Sequence, residues 1–178
     1  LFTVPGEKSH WLLSGDLSAI AERAVDLSET CDTYFSIGLH SARPTKGRGL
    51  ASGVRAIPGF WIEIDIAHPC HASASLPRGL EDVHSLLGAF PYPPSWIVHS
   101  GHGVHAWWLF PEPWTFDSEQ EHAAAAILER RLQRWFQEKA RERGWKIDPT
   151  ADLARVLRLP GTTNRKVADE ALPVQTIH

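Results

Sequence analysis

The stretch from residue 96 to residue 110 constrains the fold of this chain more than any other. Residues 96–98 and 104–110 are rich in β-branched and aromatic side chains, which favour β-strands. The short segment between them contains Gly101 and Gly103, and a closely spaced glycine pair is the usual signal of a tight hairpin. The stretch therefore predicts a strand, a turn and a second strand.

The same turn has a second interpretation as an anion-binding site. Gly101 and Gly103 let the backbone take positive φ angles and expose successive N–H groups, which form a concavity that holds phosphate. Ser100 would add a hydroxyl, and His105 would add a ring that donates to a phosphate oxygen. A plain hairpin with histidines on its surface is the alternative.

A second stretch, residues 60–66, alternates strictly between two kinds of side chain. As a strand it would carry Glu63 and Asp65 on one face and three isoleucines on the other. Two neighbouring carboxylates repel each other, so such a strand either faces solvent or has a cation between the acids. Carboxylate oxygens are hard ligands that suit Mg²⁺ or Mn²⁺. Both interpretations stay open at this point.

The charges are distributed unevenly. The net charge of −3 excludes a basic protein that coats nucleic acid, yet residues 33–62 and 153–167 contain no acid. Positive segments in an acidic protein suggest a patch for polyphosphate or a nucleic-acid backbone, with ordinary surface scatter as the alternative. The basic residues that we single out in these two segments are Arg43, Lys46, Arg48, Arg55, Arg155, Arg158, Arg165 and Lys166. The first four lie in a glycine- and proline-rich loop, 42–58, and we interpret Arg43, Lys46 and Arg48 of this loop as a nucleic-acid contact.

The length and the cysteines limit the protein class. A chain of 178 residues with 43% hydrophobic residues suggests one globular domain, 1–178, which we expect to be excised from a longer protein. Cys31 and Cys70 do not form a disulfide framework, which fits a cytoplasmic setting. No apolar run approaches the roughly 18 residues of a membrane span, and the first residues do not resemble a signal peptide.

The segment His68-Pro-Cys-His71 is the one candidate for a zinc site. A structural zinc ion normally has four ligands, whereas this segment supplies at most three and no partner is evident elsewhere in the sequence. We therefore interpret it as a loop.

The remaining elements follow from periodicity and capping signals. The capping box at 118–121 opens a long helix that should end at Arg143, before Gly144, with Leu128, Leu132, Trp135 and Phe136 as its buried stripe. Asp148 should end a short strand, and Arg155 and Arg158 with the following Thr-Thr-Asn are suited to bind phosphates. We also predict helices over 16–27 and 80–90 and strands over 33–40, 145–148 and 172–177.

Taken together, three stretches resemble the motifs of the archaeo-eukaryotic primases, the primase–polymerase superfamily. The nearest resemblance is to the catalytic domains of plasmid and phage replication proteins. Glu63-Ile-Asp65 matches the acid–x–acid strand of that superfamily, and residues 100–105 match its Ser-Gly-x-Gly-x-His motif. Ile147-Asp148 and the arginine-rich stretch 155–166 match its third motif. The resemblance spans residues 33–166, which is most of the chain.

The resemblance implies a fold and a set of residue roles. The fold would be α+β, with an RRM-like catalytic core packed against an N-terminal α/β module. Glu63, Asp65 and Asp148 would hold two Mg²⁺ or Mn²⁺ ions. The triphosphate of the incoming nucleotide would contact Ser100, Gly101, Gly103, His105, Arg155, Arg158 and Lys166. Glu63 stands where aspartate is commoner in the family, and its extra methylene is expected to favour Mn²⁺ or to slow the reaction.

The implied activity is primer synthesis on single-stranded DNA from NTP or dNTP, in partnership with a helicase domain. Two alternatives remain, a metal-dependent nuclease and a non-catalytic module that binds nucleic acid or nucleotide. A rolling-circle initiator endonuclease is disfavoured, since that class uses two histidines separated by one residue and this sequence has no such pair.

Overall fold

The structure is a computed structural model and describes residues 1–44, 47–73 and 75–178. In these ranges the chain forms three α-helices and three antiparallel sheets, which confirms the predicted α+β class. Within the described residues, no helix combines the length and the apolar character needed to cross a membrane.

The largest sheet is built around the predicted hairpin. Its five strands are, in order across the sheet, β11 (Gln175–Thr176), β6 (Trp96–His99), β7 (Gly103–Thr115), β5 (Val54–Asp65) and β4 (Leu39–His40). The pairing of β5 with β7 sets Glu63 opposite His105 and Asp65 opposite Gly103. The acid pair and the glycine-containing turn are distant in sequence, but the pairing of β5 with β7 brings them next to each other.

Two smaller sheets lie beside this central sheet. The four-stranded sheet has the order β2 (Lys8–Ser9), β1 (Phe2–Val4), β3 (Asp32–Ser36) and β8 (Val156–Arg158). The two-stranded sheet pairs β9 (Thr163–Val167) with β10 (Glu170–Pro173). The helix α1 (Leu17–Ser28) begins after Asp16, whose carboxylate accepts the N–H of Ala19 at 3.0 Å as an N-cap.

One hydrophobic core lies between the central sheet and the other two helices, α2 (Leu80–Leu87) and α3 (Glu119–Glu142). Ile62 and Ile64 of β5 are fully buried there together with Phe136 of α3. A second core contains Trp61, which has the opposite orientation on β5. Because side chains alternate along a strand, Glu63 and Asp65 lie on the same face of β5 as Trp61. This is the face that contributes to the second core.

The prediction for the buried stripe of α3 is partly wrong. Phe136 is buried, but Leu128 is 41% exposed, and the polar residues Glu129 and Gln133 are buried instead. The reason lies in the edge of β5. Strand β4 extends along β5 only to Ala56, so further along this edge α3 supplies the missing partners. The Trp61 N–H donates to Glu129 Oε2 at 3.3 Å, and the Gln133 amide contacts the Trp61 carbonyl at 3.5 Å.

The burial of Glu129 has a testable consequence for stability. Burial raises the pKa of its carboxyl from 4.5 to about 8, against the opposing hydrogen bonds from Gln133 and the Trp61 N–H. The folded chain then holds a proton that the unfolded chain has released, so stability falls as the pH rises through this window. We expect the free energy of unfolding to fall by up to about 1.4 kcal/mol per pH unit between roughly pH 4.5 and 8, relative to Glu129→Gln.

Urea unfolding at several pH values measures this slope. The control is Glu138→Gln, which alters an exposed carboxyl on the same helix and should leave the slope unchanged. Parallel curves for wild type and Glu129→Gln would contradict the prediction.

Two predicted strands are each divided between sheets. The segment 33–40 forms β3 and β4, which belong to different sheets, because the chain crosses between them at Gly38. A Cβ at Gly38 would lie 2.5 Å from the Leu153 carbonyl oxygen, so only glycine fits this crossing. The segment 172–177 likewise divides into β10 and β11.

Two other predictions also need correction. The loop predicted for 42–58 ends earlier, because Val54 already begins β5 and a register shift between Ile57 and Gly59 accommodates Pro58. Residues 145–148 have no regular secondary structure and belong to no sheet. The Lys146 N–H donates to the Ser75 carbonyl at 2.7 Å, so a loop occupies the position of a partner strand.

Candidate active site

The predicted site residues surround two adjoining cavities. The first has a volume of about 590 Å³ and lies among β1, β3, β5, β7, β8 and β9. The second, of about 260 Å³, is lined by the end of β5, the loop after it and residues 146–150. The residues that line both cavities are Glu63, Asp65, His71, Arg155 and Lys166. The acid pair therefore lies where the two cavities meet.

Glu63 has two basic neighbours. Arg155 Nη2 donates to Glu63 Oε2, and His105 Nε2 lies 3.9 Å from Glu63 Oε1. The Glu63 side chain is 25% exposed, so one side of the carboxylate still faces the cavity. In this arrangement Glu63 neutralises Arg155, and a cation at the carboxylate would release the guanidinium for another anion.

Asp65 is the more open acid, with 38% of its side chain exposed. Burial raises the pKa of its carboxyl, and repulsion from Glu63 and Asp148 raises it further, against the attraction of His71 and Lys166. His71 Nδ1 lies 3.4 Å from Asp65 Oδ2. Burial is the main cause of this shift, so the charged carboxylate is held in an environment that disfavours it, and a bound cation would stabilise it.

Asp148 lines the second cavity together with Glu63 and Asp65. Its side chain is 65% exposed and pairs with Lys146 at 3.2 Å. Asp148 thus shares a cavity with the acid pair, and its role as a metal ligand stays a prediction.

His105 is buried at the wall of the first cavity, with 2% of its surface exposed. Burial lowers the pKa of its ring to about 4, and nearby arginines lower it as well, whereas Glu63 opposes them. The ring is therefore neutral near pH 7, with one N–H that it can donate to a ligand in the cavity.

The predicted turn forms at Ser100–Gly103, where the Ser100 N–H donates to the Gly103 carbonyl at 2.8 Å. Gly101 has a φ of +98°, and a Cβ there would lie 2.8 Å from the amide nitrogen of Asn164. A Cβ at Gly103 would lie 2.7 Å from the Ile64 carbonyl oxygen. Ser100 lines the first cavity but neither glycine does, so the glycines here allow close packing, and their phosphate contacts stay a prediction.

Three further basic residues surround the first cavity. Arg155 and Lys166 line it, and the Nε of Arg155 is buried without a hydrogen-bond partner in the structure. Arg158 is held differently, because its guanidinium pairs with the buried Asp32 at 3.1 Å and lies 4.7 Å above the Tyr34 ring. Arg158 is therefore fixed in the wall, Arg155 pairs with Glu63 but keeps an unpartnered Nε, and Lys166 is the more exposed cation.

The predicted nucleic-acid contacts of the loop are not brought together. Arg48 lines the first cavity and lies 3.5 Å from Asp152. Arg43 lines a separate shallow pocket beside His10 and Trp11. Lys46 lies outside the described residues.

Sequence reasoning missed several residues that line the first cavity. Asp32 and Tyr34 come from β3, and His71 and His102 come from the loop after β5 and from the turn. Asp32 also accepts the Arg165 N–H at 2.6 Å, which attaches β9 to β3. Their one signal in the sequence is a position inside a motif or within six residues of a motif or strand end, which is too common to be diagnostic.

One comparison with known proteins supports the fold that the resemblance implies. No family model matches the sequence, and no curated protein matches it. Among solved structures, the chain is similar to the AEP domain of the primase-polymerase (PrimPol) of cyanophage S-2L, with a TM-score of 0.59 and 16% sequence identity. The likeness covers 97% of this chain and 74% of that one. The chain therefore has the fold of the AEP domain of a phage primase-polymerase.

Proposed function

We propose that this chain catalyses metal-dependent nucleotidyl transfer, in which NTP or dNTP units are joined into a primer on single-stranded DNA. The observation that carries this proposal is the arrangement of three carboxylates, a neutral buried histidine and two basic side chains, one of them paired with Glu63, around two adjoining cavities. The shared fold with a primase-polymerase domain supports the same conclusion.

The first cavity has the chemistry of a triphosphate site. Arg155 offers a buried Nε without a partner, Lys166 offers an exposed ammonium group, and His105 and Ser100 offer neutral donors. A cavity of about 590 Å³ is within the usual size range of small-molecule sites. We assign the β- and γ-phosphates to this basic and neutral set.

The carboxylates fit divalent cations of the Mg²⁺ or Mn²⁺ type. Glu63 and Asp65 lie at the boundary of the cavities, Asp148 faces them from the second, and all three offer the hard oxygens that these ions prefer. When bound there, such ions would increase the acidity of the attacking hydroxyl and stabilise charge on the phosphates. Because the Glu63 side chain is one methylene longer than that of aspartate, our proposal includes a preference for Mn²⁺.

The reaction that we infer needs no side-chain nucleophile. The 3′-hydroxyl of the growing strand would attack the α-phosphate, and pyrophosphate would leave. The residues of the first cavity would hold the leaving phosphates in line, and the second cavity, with Lys146 at its rim, would receive the primer end and template. A helicase domain in the same replication protein stays a prediction of the resemblance.

A primer-synthesis assay tests the proposal. Wild type, Asp148→Asn and the control Asp26→Asn, which changes an exposed carboxylate on α1, would be incubated with single-stranded DNA, labelled NTPs and dNTPs, and Mg²⁺ or Mn²⁺. We expect products from wild type and from Asp26→Asn. Asp148→Asn should be at least about 100-fold slower, because a ligand for the ions is lost.

The outcomes separate the alternatives. Degradation of labelled DNA without synthesis would indicate a nuclease. A nucleotide-dependent rise in Tm without any product would indicate a binding module. Absence of synthesis, degradation and nucleotide binding in the wild type would overturn the proposal.

A further inference from the structure

We propose a second metal site, for a zinc-type ion, formed by His68, Cys70 and His102. One possible ligand atom from each of these residues lies within 4.8 Å of the other two. The three residues come from the loop after β5 and from the turn between β6 and β7. The loop provides two of the ligands, and the turn provides the partner that the sequence alone does not reveal.

The strongest sign of a ligand is His102. His102 is 5% exposed, and its Nε2 is buried with no hydrogen-bond partner in the structure. A buried polar nitrogen without a partner costs free energy unless a ligand satisfies it. The His68 ring packs against the His102 ring, and the two ring centroids are 4.3 Å apart.

The other two ligands are also arranged for coordination. Cys70 is a free cysteine in a partly buried position. His68 Nε2 lies 3.0 Å from Glu170 Oε2, and His68 Nδ1 accepts the backbone N–H of Cys70 at 3.2 Å. Coordination through Nδ1 would replace that hydrogen bond, while a carboxylate at the outer nitrogen is the usual support of a histidine that binds a metal.

The distances require only a small closure. Tetrahedral zinc with bonds of about 2.0–2.3 Å separates its ligand atoms by roughly 3.3–3.7 Å. Ligand atoms within 4.8 Å of one another need to approach by about 1 Å, which side-chain rotation in a loop can supply. Three protein ligands leave one coordination position for water or for the Glu170 carboxylate.

The donor set selects the kind of ion. A thiolate and two imidazoles are softer than the carboxylates of the acid cluster, so they favour zinc over Mg²⁺ or Mn²⁺. The two metal sites therefore differ in chemistry although they are neighbours in the fold.

The position of the site suggests that the ion fixes the geometry of the catalytic residues. The His102 carbonyl accepts the Ile66 N–H at 3.0 Å and contacts His71 Nε2 at 3.1 Å, and His71 in turn contacts Asp65. An ion that joins His102 to the loop would hold the turn with Ser100 against the end of β5. Its function would be structural.

Titration with Co²⁺, a spectroscopic substitute for zinc, tests the proposal without measuring activity. The protein would be stripped with a chelator, and Co–thiolate absorption would be followed for wild type, Cys70→Ser and the matched control Cys31→Ser. We expect one thiolate-bound ion per chain in wild type and in Cys31→Ser, displaced by Zn²⁺ but not by Mg²⁺. Cys70→Ser should lose the thiolate band and bind at least about 100-fold more weakly.

Two further variants keep the test decisive. His102→Asn should weaken Co²⁺ binding while the thiolate remains, and Asp148→Asn, which alters only the acid cluster, should bind Co²⁺ as wild type does. Zinc should also raise the Tm of wild type by several degrees and that of Cys70→Ser much less. Absence of a Co–thiolate band in the wild type, or a band that survives in Cys70→Ser, would overturn the proposal.

Discussion

Replacement of Asp65 by asparagine is expected to reduce metal-dependent nucleotide incorporation on the order of 10³-fold. Asp65 lines both cavities and is the more exposed member of the acid pair, so we expect it to be the acid on which cation binding depends most. A bound ion contributes several kcal/mol of stabilisation to a phosphoryl transition state, and asparagine lacks the charge that retains the ion. Single-turnover extension of a pre-annealed primer measures the loss without requiring initiation.

The same variant should become more stable while it loses activity. Burial and the repulsion from Glu63 and Asp148 raise the pKa of the Asp65 carboxyl, so the charged form destabilises the fold when no cation is present. We therefore expect a higher Tm for Asp65→Asn than for wild type in chelator. Mn²⁺ should raise the Tm of wild type and have little effect on the variant.

The matched control is Asp82→Asn, which removes a carboxylate whose partner is Arg78 and which lines neither cavity. It should retain full activity and the Mn²⁺ response. If Asp65→Asn incorporated nucleotides at the wild-type rate, the acid pair could not be the metal site that we propose.

Replacement of His105 by leucine is expected to lower kcat/KM for the nucleotide by about 10²–10³-fold. The ring is neutral because burial lowers its pKa to about 4, and it lies at the wall of the proposed triphosphate cavity. Leucine keeps the apolar volume and removes the donor that would bind the phosphates. His105→Asn, which keeps a shorter N–H donor, should be less impaired than His105→Leu.

His99→Leu is the control for this prediction. His99 lies on β6 of the same hairpin and lines neither cavity. We expect the nucleotide-dependent rise in Tm to persist in His99→Leu and to be lost in His105→Leu. Equal nucleotide binding by His105→Leu and wild type would argue against a phosphate contact at this residue.

Local chemistry in the sequence was sufficient to predict several parts of this protein. The hairpin, the acid-bearing strand and the capping box of α3 depend on side-chain alternation, glycine positions and a nearby Ser–Glu pair. In the capping box, the Glu121 N–H donates to Ser118 Oγ at 3.2 Å, and the Glu121 carboxylate accepts the Asp117 N–H. Each of these signals involves residues close in sequence, so no tertiary information was needed.

Other features depend on which distant segments meet. Burial of Glu129 rather than Leu128 is a consequence of the open edge of β5, and the absence of a strand at 145–148 is a consequence of the loop carbonyl at Ser75. Neither partner can be identified from the spacing of residues along the chain, because backbone groups accept any partner that the fold brings within hydrogen-bond distance.

The sequence by itself determined that Glu63 and Asp65 share one face of a strand and that a tight turn precedes His105, whereas the α+β class was predicted from the resemblance. Only the tertiary structure decided that the acid pair lies where two cavities meet, that Arg155 pairs with Glu63, and that His102 faces His68 and Cys70. The physical reason is the range of the interactions. Strand alternation and turn conformation depend on neighbours in the chain, whereas cavities, ion pairs and ligand clusters depend on how whole sheets pack.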